Sequence, residues 1–460
     1  MKKYSTKFWI VFVLVSVVFL TTLFVILEVK NKGLFGFLRE PLSLLPLEEE
    51  TSEDLKTLLS LAEALSNTKG KEKAFLILLQ NNMELRPGGG YIGSFAIVKI
   101  KDGQPVGVEV HDTVNFDGRI PDTIPAPYPM ESTLGVKSLK LRDSNYHPDF
   151  ALNAKEAEDF YHLGNGQEQF AGVIGVTTRV LESVLEVTGP VEVPGYPGMY
   201  GKDNAVLDLE YQVEKAYAEQ GLERGERKVV IHLLAQEIIK KVKALPLDQK
   251  YRLFKVVLSD LHQKDVQIQL KDPKLQAEVA KVGWDGEMDT AWKNDYLFLV
   301  DSNMNAFKSD LYVERSYEYS VDLSLPEPKA VLKVTYNHTA KEKSYLTKDY
   351  QSYSRVYLPK GSFIDTITPL THEVVYGEEL NRKFAGTIVQ VPLGTEKTLE
   401  YSYQLPKTVE TGELYDLKIQ KQPGMKSIPM KVTVKHKNGS VQSYQFNLER
   451  DTVLSTLTSQ

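Results

Sequence analysis

The hydrophobic pattern opens with an unbroken stretch: from Phe8 to Leu27 the chain carries no charge. Some twenty helical residues at about 1.5 Å rise span about 30 Å, the thickness of a bilayer's hydrocarbon layer, so this stretch predicts one transmembrane helix. A cleaved signal peptide would show a shorter apolar core and a small-x-small site, and Glu28-Val29-Lys30-Asn31-Lys32 offers none. Lys2, Lys3 and Lys7 precede the run, Trp9 sits at an interfacial position, and Lys30, Lys32 and Arg39 follow it. These flanks nearly balance. Because no second span competes, the expected topology places the amino terminus in the cytoplasm and the bulk of the chain outside. Residues 1–29 are thus the cytoplasmic tip and anchor, and 30–50, with Gly33, Gly36, Pro41 and Pro46, a stalk.

Beyond the stalk the period changes. Leu55, Leu58, Leu59, Ala62 and Leu65 recur at helical spacing behind a Thr51-x-x-Asp54 capping box. Short apolar runs at Ala74–Leu79, Phe95–Ile100 and Val106–Val110 read as strands, the last two joined by the turn Lys101-Asp102-Gly103-Gln104. Residues 111–150 hold prolines 121, 125, 127 and 129 and little periodicity, and a loop of that length is usually functional or mobile. A helix from Asn153-x-x-Glu156 to His162, a strand at Gly172–Val176 and a helix at Thr178–Val187 closed by Gly189-Pro190 follow. Helical patterns continue at 204–218, 227–243 and 248–262, with short strands near 266–270 and 296–300. The alternation predicts an α/β domain over 51–304. From about 305 the period becomes two: segments 311–323, 330–337, 353–358, 383–391, 397–403, 415–420, 430–436 and 441–447 are strand-like. They predict an all-β sandwich over 305–460, with Asn438-Gly439 as a type I′ hairpin turn. Its many tyrosines are expected on half-buried sheet faces.

Composition narrows the chemistry. The 460 residues carry 55 Lys plus Arg against 61 Asp plus Glu, a net charge of −6. No global positive field exists to hold a polyanion, so nucleic acid is excluded as a partner. The absence of cysteine excludes disulfides, thiolate metal sites and a Cys nucleophile.

Three segments carry candidate chemistry. In Gln80-Asn-Asn-Met-Glu84-Leu-Arg86-Pro-Gly88-Gly89-Gly90, the glycines permit close backbone approach, and free N–H groups beside Arg86 could cradle an anion. It is neither a Walker loop nor a dinucleotide fingerprint, because no Lys-Ser/Thr and no helix follow; the alternative is a glycine turn with Glu84 and Arg86 paired structurally. Leu141-Arg142-Asp143-Ser-Asn-Tyr-His147-Pro-Asp149, with His111, Asp112, Asp117 and Arg119 upstream, gathers carboxylates and imidazoles on loops, able to ligate a cation or act as a base, or simply to cap turns. Arg224 and Arg227 open a helix whose free N–H groups suit phosphate, or a solvated helix start. Asp301-Ser-Asn303-Met-Asn305 mimics a calcium loop, but Ala306 and Tyr312 replace the glycine and glutamate such a loop requires. No G-x-S-x-G or H-E-x-x-H occurs.

Together, Gln80 to Ser94, Arg142-Asp-Ser-Asn-Tyr-His-Pro-Asp-Phe150, Gly172-Val-Ile-Gly-Val176 with Thr188-Gly-Pro-Val191, and Val300-Asp-Ser-Asn-Met-Asn-Ala-Phe-Lys308 resemble a bacterial membrane-anchored family, domain of unknown function 4012. That resemblance implies an envelope protein with one amino-terminal anchor. The order of elements is more distantly similar to the LytR-CpsA-Psr family, which moves glycopolymers from polyprenyl-pyrophosphate carriers to the cell wall. This implies a mixed sheet with flanking helices, pyrophosphate-binding arginines and Mg²⁺. Gly93-Ser94-Phe95 and His111-Asp112 depart from that family's Ser-Asp-Thr and Arg-Asp. The expected function is binding of an anionic or glycan ligand, cell-wall or polyprenyl-linked, by Arg86, Gly88, Gly89, Gly90, Arg142, Asp143, Arg224 and Arg227, in a non-catalytic or assembly role. A protein partner is expected at the sandwich. The alternative is a phosphotransferase with Mg²⁺ at Asp112 or Asp143.

Overall fold

The computed structural model describes residues 49–216, 229–409 and 414–457. The expected span at 8–27 lies outside the described residues, and among those described no helix is long and apolar enough to cross a membrane. The chain is a mixed α/β structure with several sheets and a β-rich carboxyl-terminal region.

Helix α1 (Glu49–Ser66) starts ahead of the expected capping box, so Thr51 and Asp54 lie inside it. It is followed by β1 (Lys73–Asn81), β2 (Tyr91–Lys101) and β3 (Gln104–Asp112). Segment 113–147, expected to be irregular, contains the one-turn helices α2 (Thr113–Asp117) and α3 (Met130–Leu134). Helix α4 (Phe150–Leu163) begins earlier than its pattern suggested because Asp149 caps it, accepting from Leu152 N–H at 3.0 Å. Then come β4 (Phe170–Thr177), α5 (Arg179–Thr188), the hairpin of β5 (Val191–Glu192) and β6 (Met199–Tyr200), α6 (Ala205–Tyr211), α7 (Val229–Ala244), α8 (Leu247–His262), β7 (Val266–Leu270) and α9 (Pro273–Lys281).

The five-stranded sheet has the order β3-β2-β1-β4-β7. Central β1 runs antiparallel to β2 and parallel to β4. It reads as a continuous apolar run because helices cover both faces. Phe75 and Ile77 point towards α1, α5, α7 and α8, where they join Leu58, Val184, Leu234 and Val257. Leu76 and Leu78 point the other way, to α4 and segment 113–147, where they join Phe116, Phe150 and Phe160.

The β-rich region begins earlier than its sequence pattern suggested. The strand near 296–300, read as the end of the α/β domain, is β8 (Asp295–Asn303), a central strand of the carboxyl-terminal layers. It is followed by β9 (Val313–Asp322), β10 (Lys329–His338), β11 (Tyr350–Pro359), β12 (Phe363–Thr368), β13 (Val374–Glu379), β14 (Arg382–Val391), β15 (Glu396–Gln404), β16 (Leu414–Gln420), β17 (Ile428–Lys435), β18 (Val441–Leu448) and β19 (Thr452–Leu457). Edge strands β12, β13 and β19 escaped the period-two reading. Two six-stranded sheets, β12-β15-β10-β9-β17-β18 and β13-β14-β11-β8-β16-β19, share one core that includes Leu332 and Val432 from the first and Leu299, Val356 and Leu417 from the second.

Tyrosines in this core are buried outright, not half-exposed. Tyr319, Tyr336, Tyr350, Tyr401, Tyr403 and Tyr415 are all closed to solvent. A buried phenol favours an acceptor, and carboxylates supply several: Tyr319 and Tyr415 donate to Asp295, and Tyr336 to Asp301 at 3.0 Å. Arg315 closes the network, donating to Asp301 at 2.8 Å and Asp310 at 2.7 Å.

The two regions meet over the glycine loop at the carboxyl ends of β1 and β4. Asn82 Nδ2 donates to Gly424 O at 3.1 Å, Leu85 N–H to Asp310 at 3.0 Å, and Gln422 Nε2 to the carbonyls of Arg86 and Asp301 at 3.1 and 2.7 Å. Gly424 has a φ of +75°, and any Cβ there would overlap the Gly89 carbonyl; a Cβ on Gly90 would overlap the Asn81–Asn82 peptide. We therefore expect Gly90→Ala and Gly424→Ala each to lower stability by about 1–3 kcal/mol in thermal or urea melts. Gly93→Ala, whose Cβ would meet nothing nearer than 3.9 Å, should leave the melt unchanged.

Candidate functional site

One face of the sheet is incompletely filled. Phe75 and Ile77 of β1, Ile174 and Val176 of β4, and Val266, Ile268 and Leu270 of β7 floor a cavity of about 390 Å³. Leu58, Leu61, Ala62 and Leu65 of α1 roof it, and Val257 and Leu261 of α8 wall it. The room arises where alanines stand in place of larger side chains, at 62, 64 and 171. Protein interiors are normally packed to crystal density. A sealed void of this size would cost roughly 9 kcal/mol at about 24 cal/mol per Å³, comparable with the whole stability of a domain. Its volume falls in the range of small-molecule sites, about 300–1,000 Å³.

The mouth lies at the amino end of β1, framed by Lys73, Lys271 and Asp272. Lys73 Nζ donates to Ala64 O at 3.4 Å, and Lys271 pairs with Glu158 at 2.6 Å. The roof is tied down at both ends. Asp54 meets His262 Nε2 at 2.8 Å, Glu53 pairs with Lys281, and Gly103 N–H donates to Leu65 O at 2.8 Å.

A second, polar cavity of about 340 Å³ opens on the opposite face, lined by Asp117, Asp122, Lys140 and Arg142 with Val114, Gly118 and Ile120. Lys140 pairs with Asp122 at 2.6 Å. Arg142 Nε lies 3.4 Å from Asp117 Oδ2 and 3.8 Å from Asp143 Oδ2. Asp117 Oδ1 accepts from Leu141 N–H at 3.1 Å, while its buried Oδ2 accepts no hydrogen bond. Burial pushes the Asp117 carboxyl up to about 6 against the pull of Arg142, and raises Asp143 as well. Nearby Glu156 is pushed by burial to about 7. Asp117 and Glu156 can therefore exchange protons near neutral pH.

The structure separates the residues singled out in the sequence. Arg86 is only 4% exposed; its guanidinium donates to Asn303 O at 2.8 Å and pairs with Glu84 at 2.7 Å. Gly88, Gly89 and Gly90 are buried in the joint with the β-rich region, so this loop presents no open cradle for an anion. Close backbone approach is what these glycines provide, but the partners are the chain's own: Asn145 and Asn153 at Gly88, Gly424 at Gly89, and the Asn81–Asn82 peptide at Gly90. Arg142 and Asp143 sit at the polar cavity instead, and Arg224 and Arg227 lie outside the described residues. Asp112 caps α2, accepting from Val114 N–H at 3.0 Å, and Asp143 accepts from Lys140 N–H at 3.2 Å. Their oxygens serve the backbone, and among the described residues no three His, Asp or Glu side chains gather to hold a metal. Sequence reasoning missed the apolar cavity, since helical spacing identifies a buried face without showing whether the space beneath it is filled.

Residues 70–213 match the family described as protein of unknown function (DUF4012). Over this segment the chain resembles DUF4012 domains. This segment supplies β1 and β4 to the cavity floor, while α1, α8, β7 and α9 flank it. No curated protein matches the chain. Among solved structures, the Lin1025 protein from Listeria innocua is 12% identical, covering 47% of this chain and 79% of that one at a TM-score of 0.27. Protein gbs0355 from Streptococcus agalactiae is 13% identical, covering 49% and 76% at 0.29. The transcriptional regulator yvhJ from Bacillus subtilis is 11% identical, covering 46% and 78% at 0.23. Likenesses at these TM-scores establish neither the fold nor the function of this chain.

Because the folded Asp117 titrates above an unperturbed aspartate, its contribution to stability is present at acid pH and is lost as pH rises through about 6. Arg142 opposes that shift. Arg142→Ala should therefore move the Asp117 titration above about 6 in carboxyl ¹³C NMR; an unchanged or lower midpoint would show that the guanidinium does not act on it.

Proposed function

We propose that this chain is a membrane-anchored, extracytoplasmic envelope protein whose α/β domain holds the hydrocarbon chain of an anionic or glycan-bearing lipid. The apolar cavity beneath α1 carries the reading. Its lining suits methylene or isoprenoid groups, each buried CH₂ being worth about 0.8 kcal/mol. Lys73 and Lys271 at the mouth suit a phosphate or carboxylate headgroup. A span at residues 8–27 would keep the domain within reach of such lipids. On this reading the two carboxyl-terminal sheets form a β-sandwich offering an outer surface to a polysaccharide or protein of the envelope, and the α/β sheet is LytR-CpsA-Psr-like in plan. Holding rather than transferring the ligand is favoured because Arg86 and the glycine loop, read in the sequence as an anion cradle, are closed inside the joint.

The test uses the full chain in lipid nanodiscs with an isoprenyl phosphate bearing a photoreactive group at the chain end. Cross-links should map to α1, β7 and α8 around the cavity. Ala64→Trp and Ala171→Trp, which fill the space, should reduce the yield about tenfold or more while retaining the wild-type melt. Equal labelling of wild type and both filled variants, or labelling confined to other surfaces, would overturn the proposal.

A further inference from the structure

The strand register places one rim of the α/β domain opposite the β-rich region. Lys73 pairs with Ile100, Lys101 with Gln104, Ala74 with Phe170 and Gly172 with Leu270, so these residues share one sheet edge. The other edge, with Asn82 and Gly89, is sealed by the 421–425 segment. The foot of α5 also lies on the first rim: Lys241 Nζ reaches the carbonyl of Pro190, which brings the α7–α8 turn alongside. This is the rim on which the apolar cavity opens.

Its charge is opposite in sign to that of the whole chain. Lys69, Lys71, Lys73, Lys101, Lys271 and Lys274 stand here against Glu72, Asp102 and Asp272, in a protein of net charge −6. Lys69, Lys71, Lys101 and Lys274 are exposed and form no ion pair among the described residues. Asp102, in the hairpin turn itself, is exposed, and its carboxylate accepts from Thr68 and Gly70 at 3.1 Å each. Two apolar side chains stand out on the same side, Val106 of β3 at 51% exposed and Leu163 at the end of α4 at 40%. Lysines interleaved with exposed aliphatic groups around an apolar opening match the two layers of a bilayer surface, anionic headgroups above hydrocarbon.

We infer that this lysine-rich rim is a docking face for an anionic bilayer, which sets the cavity mouth against the lipid from which its occupant enters. The inference rests on the lipid-chain reading of the cavity and adds the surface that supplies the chain. Reach permits it: the 21 residues between Leu27 and Glu49 extend up to about 70 Å, against about 27 Å for the length of α1. The β-rich region then projects away from the bilayer, its Asn438-Gly439 hairpin outermost from the joint. Each lysine at a charged surface multiplies the docked fraction about fivefold, and screening over about 8 Å at physiological salt makes the docking ionic-strength dependent.

The absence of cysteine makes the test direct, because a single introduced thiol labels one position. The full chain is reconstituted into vesicles of phosphatidylcholine alone or of phosphatidylcholine with phosphatidylglycerol, both carrying the same headgroup quencher. An environment-sensitive dye is placed at Gln104→Cys on the rim or at Lys437→Cys on the distal hairpin. The rim dye should be quenched in anionic vesicles, less so in neutral vesicles or high salt, and the distal dye in neither. In a background of Lys69→Gln, Lys71→Gln and Lys274→Gln, all surface positions, rim quenching should fall by roughly a hundredfold in docked-to-free ratio while the melt stays unchanged. Equal quenching at both positions, or rim quenching indifferent to lipid charge and to the lysine substitutions, would overturn the inference. The two readings fail separately: cavity cross-linking without rim quenching removes the docking face alone, whereas rim quenching without cavity cross-linking removes the lipid occupant.

Discussion

Backbone contact between Gly89 and Gly424 is the constraint on which the rest of the molecule depends. Neither position tolerates a Cβ, and the approach lets Asn82, Leu85, Arg86 and Gln422 exchange hydrogen bonds across the boundary of the two regions. In open α/β sheets the crevice at the carboxyl ends of the strands is the usual ligand position. Here the chain fills that crevice with its own 421–425 segment, whose Lys421 and Gln422 are fully buried. Burial lowers the Lys421 ammonium to about 8, and its Nζ donates to Gln263 O at 3.1 Å, so the segment is bound by polar as well as steric complementarity. With one edge of the sheet sealed, the apolar cavity opens at the other, beside Lys73, Lys271 and Asp272.

A second polar network sets the shape of the β-rich region. Unpaired charges in a low-dielectric core would shift to their neutral forms or unfold the region. Asp301 and Asp310 avoid this by meeting Arg315, and Asp295 by accepting two phenols and a backbone N–H. Because Asp310 also accepts from Leu85 N–H, and Asn303 O accepts from Arg86, the same network orients the glycine loop. Interior electrostatics and the joint are therefore one system. The polar cavity at Asp117 and Arg142 lies outside it and keeps carboxyl groups that titrate near neutrality.

Close packing elsewhere makes the void under α1 conspicuous. The helix is held by the Asp54–His262 and Glu53–Lys281 pairs and by Gly103, so its position does not depend on filling the space below it. Such a roof can stand over an empty or an occupied cavity, a property that suits a lipid site.

Local patterning by itself determined the α/β layer and the β-rich region, because periods of 3.6 and two report which face of a segment is buried. The closing residue Gly189 and the turn residue Asn438 were equally legible, since they act within a few residues of their own position. Tertiary structure alone decided which sheet received β8: an apolar strand carries no record of its neighbour. It also decided what the three glycines approach. A glycine run states that something comes close, and only the fold shows that the visitors are the chain's own residues rather than a phosphate. Arg86 was legible in its pairing with Glu84 but not in its bond to Asn303, more than 200 positions away, and the cavity was not legible, since a void is a property of several elements at once and of no one segment.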